Sequence, residues 1–294
     1  MIEGPAPRRV LCLGRTYCDI IFTGLPEMPA LGRERFAETV TIAAGGGAFI
    51  TAAHLAALGR PSSLVTRLGT DLLSRSLLDD LTTSAVDLTF VETAADAGPQ
   101  PTIALVLGRE RAFVSRRAGS SRPSTLDDAL ASAEVRHLHI AEFATLADIP
   151  GLVAHAHRKG ITVSLDPSWD DALIRNDEAF FQACAGVDVF LPNHEEGVAL
   201  TGEAEPEAII AKLRDHFPLV VLKLGERGAR AATDAESLSA PAPVVSVADT
   251  TGAGDAFNAG FLHAWLERVD LHQALAAGIH CGSLAVQSVG GAPR

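Results

Sequence analysis

Short apolar runs alternate with segments of helical period along most of the 294-residue chain. The runs "RVLCLG" (9–14), "SSLVTRLG" (62–69), "VRHLHIAEF" (135–143), "GITVSLDP" (160–167), "VDVFLPN" (187–193) and "LVVLKLG" (219–225) have the length and aliphatic content of buried strands. Segments 46–58, 71–83, 146–158 and 206–216 read as helices between them. That succession predicts βαβ units, hence an α/β fold with a mostly parallel central sheet flanked by helices. Residues 252–287 predict two helices broken near Val269–Asp270. Two stretches, 19–46 and 101–119, break the rhythm; the second places β-rich runs on either side of the turn "GRER". Strand pairs from these distant places predict a small second sheet at the end of the main one. It would act as a lid, built from segments of about 18–43 and 101–117. With no internal repeat and no low-complexity linker, the expectation is one α/β domain over 1–294 with the lid inserted in it.

Composition narrows the function classes. Aromatics are only 5% of the chain, and Ala, Leu, Val and Gly dominate, which suits helices packed on a parallel sheet. A net charge of −12 disfavours sequence-independent nucleic-acid binding and adsorption to anionic membranes. Cys12, Cys18, Cys184 and Cys281 are scattered, with no C-x-x-C spacing. They read as reduced thiols of a cytoplasmic protein rather than a disulfide frame or zinc site. "MIEGPAPRRVLCLG" has too short an apolar run for a signal peptide, and "IAAGGGAFITAAHLAALG" carries His54 and a Gly triplet, unlike a membrane span.

The stretch "DTTGAGDAFNAGF" (249–261) carries the chemistry. Gly252, Ala253 and Gly254 turn into a helix, whose first N–H groups have no internal partner and carry the positive end of the dipole. Glycine lets a phosphoryl group approach that backbone. A carboxylate at Asp255 would repel a resident phosphate, but it suits transfer: it accepts the proton of the attacking hydroxyl while the N–H groups stabilise the moving phosphoryl oxygens. Taken alone, Asp255 also reads as a first-turn carboxylate that favours the helix dipole.

The whole of "DTTGAGDAFNAGFL" resembles the C-terminal signature of the ribokinase-like (PfkB) family of sugar and nucleoside kinases. "AGGGAFITAAHLAALG" (44–59), "RLGTD" (67–71), "LPNHEE" (191–196) and "VVLKLGERGA" (220–229) are similar to further family elements, in the family's order. The resemblance implies a ribokinase-like fold and transfer of the γ-phosphoryl group of ATP to a sugar or nucleoside hydroxyl. It implies Asp255 as catalytic base and an anion hole of Gly252, Ala253 and Gly254. Asn193 and Glu196 would organise Mg²⁺ and the ATP phosphates, with Glu196 acting on the metal indirectly. Lys223, Gly225, Gly228 and Thr251 would approach the nucleotide. Asp19, Gly45 and Gly46 would hold the acceptor, and Asp249 with Thr251 would flank a monovalent cation such as K⁺. Lids of this kind pair between subunits in some members, which implies a candidate homodimer. Each residue also has a structural reading: Asn193 and Glu196 as a capping box, Lys223 as a snorkelling strand-end lysine, Asp19 as a loop charge.

The chain departs from the family pattern at the acceptor end. Ile50 stands where the family has Asn, which removes a hydrogen bond to a sugar hydroxyl and predicts altered substrate choice. His54, one turn on, reads either as a substitute polar group or as a helix-surface histidine. Ser74 replaces a common Gly, and Ser168 a common Asn. Arg116 and Arg117 read as exposed lid charges or as ligands for an anionic acceptor. His137 and His139 share a strand face with no metal-site spacing, and Glu142 follows that strand towards the pocket. A GxxxxGK[ST] loop is absent, which excludes a P-loop kinase, and "LCLGRTYCDI" lacks the GxGxxG of a dinucleotide oxidoreductase. A ligand-binding sensor on the same fold is the rival class.

Overall fold

The structure is a computed structural model that describes residues 8–108, 110–170 and 178–293. Among the described residues thirteen strands form two sheets. The main one holds β1 (Arg9–Leu13), β4 (Ser62–Leu68), β5 (Val91–Thr93), β8 (Val135–Ile140), β9 (Thr162–Leu165), β10 (Val189–Phe190), β11 (Val220–Lys223), β12 (Ala229–Ala232) and β13 (Ser237–Ala240). Their order is β13-β12-β11-β10-β9-β8-β1-β4-β5. All pairs from β11 to β5 are parallel, and β12 and β13 add an antiparallel edge. The parallel centre follows from apolar runs long enough to bury both faces. Along β1, Leu11 and Leu13 join the core on one side and Val10 and Cys12 the core on the other.

Helices fill both layers. Gly47–Ala57, Ala253–Leu266 and Leu271–Ala285 pack on one face. Leu126–Ala131, Leu152–Arg158, His194–Thr201 and Pro206–Arg214 pack on the other. The expected helix over 71–83 is two short ones, Leu72–Ser76 and Leu78–Thr83. The segment 146–158 is likewise divided, at Gly151, which adopts φ +79°. The two C-terminal helices part where expected, and Asp270 caps the second by accepting the Gln273 N–H. Residues 244–250, which lead into the last two helices, form no strand.

The second sheet has four strands in the order β3-β2-β6-β7, with β2 (Tyr17–Thr23), β3 (Thr39–Gly45), β6 (Pro101–Leu107) and β7 (Glu110–Ser115). β2 joins β3 antiparallel and β6 parallel, so the two stretches that broke the helical rhythm come together. Among the described residues no helix is long and apolar enough to cross a membrane.

Candidate active site

Strand ends of the main sheet converge on a cleft of about 700 Å³ whose lining includes Gly47, Asp166, Asn193, Glu196, Lys223 and Asp255. β9 delivers Asp166 and β11 delivers Lys223, because each strand's apolar run stops there and the next residue meets the cleft. Lys223 Nζ lies 2.5 Å from Asp166 Oδ2 and 3.3 Å from Asn258 Oδ1. The Asn258 amide donates to the same Asp166 oxygen at 2.6 Å. Asn258 is fully buried one turn beyond Asp255, so this helix sets both the first-turn carboxylate and a partner for the lysine. Burial works against the Asp166 carboxylate, but Lys223 and Asn258 hold its pKa below the usual range. Burial likewise disfavours the Lys223 ammonium, but the surrounding carboxylates, Asp166 first, keep its pKa raised.

The turn Gly252–Ala253–Gly254 opens the helix Ala253–Leu266, with Gly252 at φ +70°. A Cβ on Gly252 would lie 2.5 Å from Gly291 Cα, so the position needs glycine for both space and conformation. A Cβ on Gly254 would stand 3.5 Å from Lys223 Nζ, which puts the ammonium beside the helix's free N–H groups. Asp255 reaches Gly47: its Oδ1 is 2.7 Å from where a Cβ on Gly47 would sit. Burial, then Asp166 and Asp19, raise the Asp255 pKa to about 7, with Lys223 opposing. The result is a carboxyl group with its pKa near neutrality between the Gly252–Gly254 turn and the glycine segment 45–47.

Asp19 and Gly45 are in contact, since a Cβ on Gly45 would fall 1.9 Å from Asp19 Oδ2. Burial and the charge of Asp249 raise the Asp19 pKa to about 7. Asn193 and Glu196 form a reciprocal capping box, 2.9 Å and 2.8 Å, and both line the cleft. Burial and Asp166 push the Glu196 pKa to about 7 against the pull of Lys223. Gly225 also lines the cleft. Gly228 stands outside it, where φ +92° and the Ala240 carbonyl, 2.1 Å from a would-be Cβ, demand glycine at the β11–β12 turn.

Other expected residues have different duties. Ile50 is buried with Cδ1 2.6 Å from a would-be Cβ on Gly291, so it packs against the C-terminal segment. His54 is not a surface histidine: Nε2 lies 2.9 Å from the Gly291 carbonyl, and burial lowers its pKa. Arg116 reaches the Pro99 carbonyl. Arg117 pairs with Asp170 at 2.8 Å, and its charge acts on Tyr17, which neighbours Gly45 across β2–β3. Glu142 accepts from the Arg15 N–H and the Thr145 hydroxyl. His137 and His139 are buried and share the Ser164 hydroxyl, a core role, and burial lowers the pKa values to about 3 and about 4. Asp249 accepts from Thr251, Gly290 and Arg111, a residue of the small sheet that the sequence did not single out.

A first-turn carboxyl, a glycine turn at a helix N-terminus and a buried lysine thus meet in one cleft. The profile of the pfkB family of carbohydrate kinases matches residues 8–293. The chain is 30% identical over 281 residues to an ATP-dependent ribose-1-phosphate kinase of Halopiger xanaduensis, covering 94% of this chain and 91% of that one. It is 27% identical to a fructokinase of Rhizobium leguminosarum bv. trifolii, over 86% of this chain and 78% of that one. Its fold matches an Arabidopsis thaliana ribokinase solved with ribose and ATP, with a TM-score of 0.83, 23% identity, and coverage of 98% and 95%. The protein belongs to the pfkB family of carbohydrate kinases, phosphotransferases that act on an alcohol group.

Proposed function

We propose that the protein transfers the γ-phosphoryl group of ATP to a hydroxyl of a sugar or nucleoside, with Asp255 as general base. The observation that carries this reading is the placement of Asp255 between the Gly252–Gly254 turn and Gly47, with a pKa of about 7. The acceptor hydroxyl gives its proton to Asp255 as its oxygen bonds to the γ-phosphorus. The bond from that phosphorus to the β–γ bridging oxygen breaks, and ADP leaves with the electron pair. The glycine N–H groups of the turn and the Lys223 ammonium beside Gly254 would meet the oxygens on which charge gathers, while the Ala253 N–H donates to the Thr250 carbonyl. Asp19 and the 45–47 segment hold the acceptor. Asn193, Glu196, Gly225 and Thr251 serve the nucleotide side, and Gly228 shapes the turn behind it.

Among the described residues no group of three or more His, Cys, Asp or Glu converges as a metal site. The donor set fits a Mg²⁺ held mainly by phosphate and water, with Glu196 reaching it through water. The ion would supply charge neutralisation on the phosphates. The small sheet acts as a lid that excludes water. Val40 and Ile42, side by side in exposed register on β3, support pairing of two copies through that sheet.

The test is ADP formation from ATP and Mg²⁺ against ribose 1-phosphate, ribose, fructose, 2-dehydro-3-deoxygluconate and adenosine, beside Gly47→Ala. Turnover is expected with at least one acceptor. The added methyl stands 2.7 Å from Asp255 Oδ1 in the undisturbed site, so it is expected to cut kcat about 10–100-fold with the circular dichroism spectrum unchanged. Tight ATP binding with no turnover on any acceptor would favour a sensor over an enzyme.

A further inference from the structure

Arg111 lies in β7 at the tip of the small sheet, where a side chain is ordinarily solvated, yet it is only 14% exposed. Its guanidinium crosses to the segment that leads into the anion-binding turn. Nη2 lies 3.0 Å from Asp249 Oδ1 and also meets the Thr250 hydroxyl; Nη1 lies 2.8 Å from the Thr251 hydroxyl. One side chain thus holds three consecutive residues, and the next is Gly252. Both carboxylate oxygens of Asp249 are already engaged, and the guanidinium supplies the positive charge beside them. Oδ1 already accepts the Thr251 N–H at 2.9 Å and the Thr251 hydroxyl at 2.8 Å, and Oδ2 accepts the Gly290 N–H at 3.0 Å. Burial opposes its charge, but these hydrogen bonds and Arg111 hold its pKa below the usual carboxylate range. A monovalent cation on this carboxylate therefore does not fit the residues present.

We infer that Arg111 is a positioning residue that takes the place of a monovalent cation at Asp249, so that closing the small sheet sets the anion-binding turn. A guanidinium suits this role because its fixed fork satisfies one carboxylate and two hydroxyls at once. An alkali ion diffuses in from solvent and answers only to its concentration. Arg111 arrives with the lid, so the backbone N–H groups of Gly252–Gly254 are aligned only when the site is shut. The inference rests on the proposed function for its catalytic meaning, but its structural content needs no substrate.

The test is hydrogen exchange of the β6–β7 amides in the substrate-free protein. It compares wild type, Arg111→Ala, Asp249→Asn and the double variant, each in KCl and in tetramethylammonium chloride at equal ionic strength. Each single variant is expected to exchange about 10-fold faster than wild type, and the double variant no faster than either single one. Wild type is expected to exchange alike in both salts. Adding guanidinium chloride at about 20 mM is expected to slow exchange in Arg111→Ala but not in the double variant, a rescue that a merely structural loss does not show. Exchange in Arg111→Ala equal to wild type overturns the inference. So does wild-type exchange slowed several-fold by K⁺, which would place the ion at Asp249. Absence of turnover in the acceptor screen, with these exchange results intact, would count against the proposed function alone.

Discussion

Asp255→Asn is expected to lower kcat by about 10²–10⁴-fold while making the folded protein more stable above neutral pH. The loss follows from removing the proposed acceptor of the hydroxyl proton, with almost no change of shape. The gain follows from the same burial that tunes the base. In the fold this carboxyl has its pKa raised to about 7, chiefly by burial, with Asp166 and Asp19 adding to it. The folded protein therefore binds a proton that the unfolded chain, with an ordinary carboxyl pKa of about 4, has already released. The stability this group contributes is complete below about pH 4 and is lost as pH rises through about 7. Asn carries no such cost, so its advantage over wild type is on the order of 2–4 kcal/mol at pH 8 and small at pH 4. Thermal melts at both pH values check the sign. Wild-type kcat/KM is expected to rise with pH and level off above about 7. An Asn variant within threefold of wild-type kcat, or one whose melting shift is the same at both pH values, contradicts the assignment.

Lys223→Met is expected to cost about 3–5 kcal/mol of stability and to move the acid limb of the rate profile to higher pH. The lysine is the partner of Asp166, which is 7% exposed and also holds Asn258. Without the ammonium, Asp166 is a buried charge held by neutral donors, the Asn258 amide and the Ser168 N–H. Lys223 is also the group that restrains the pKa values of Asp255 and Glu196, both about 7, so each must rise when it goes. Urea denaturation checks the first effect and a pH–rate series the second. Adding Asp166→Leu to the methionine variant is expected to recover most of the stability and none of the activity, because an apolar pair removes the stranded charge. Unchanged stability in Lys223→Met contradicts a buried pair.

The parallel sheet was legible because its strands are near-continuous aliphatic runs, and the small sheet because 19–46 and 101–119 refuse a helix. The antiparallel edge was less visible: β12, "ARAA", and β13, "SLSA", are four residues each and lack the branched side chains that mark strands. The helix over 71–83 divides at Leu77, a residue whose helix-forming preference gives no warning. At the site, Asp255 could be singled out because its turn and helix are local in sequence. The partners of Lys223 could not, because Asp166 and Asn258 reach it across 57 and 35 residues. A local sign of Asn258 existed in its spacing of one turn from Asp255. Arg111 had no such sign: a charge beside a hairpin turn reads as a solvated tip, and only the packing of the two sheets brings it to Asp249. Ile50 was conspicuous as a departure from a pattern, but its contact with Gly291 depends on where the chain's last segment lies.

The central claim is that a hydroxyl, activated by Asp255, takes the γ-phosphoryl group. Single-turnover reaction of γ-labelled ATP with excess enzyme and the acceptor from the screen, followed by separation of products, tests it directly. The account predicts label in the phosphorylated acceptor at the rate of ADP formation, little in inorganic phosphate, and both rates lowered together in Asp255→Asn. Label released mainly as inorganic phosphate, or transfer unaffected by Asp255→Asn, would contradict it.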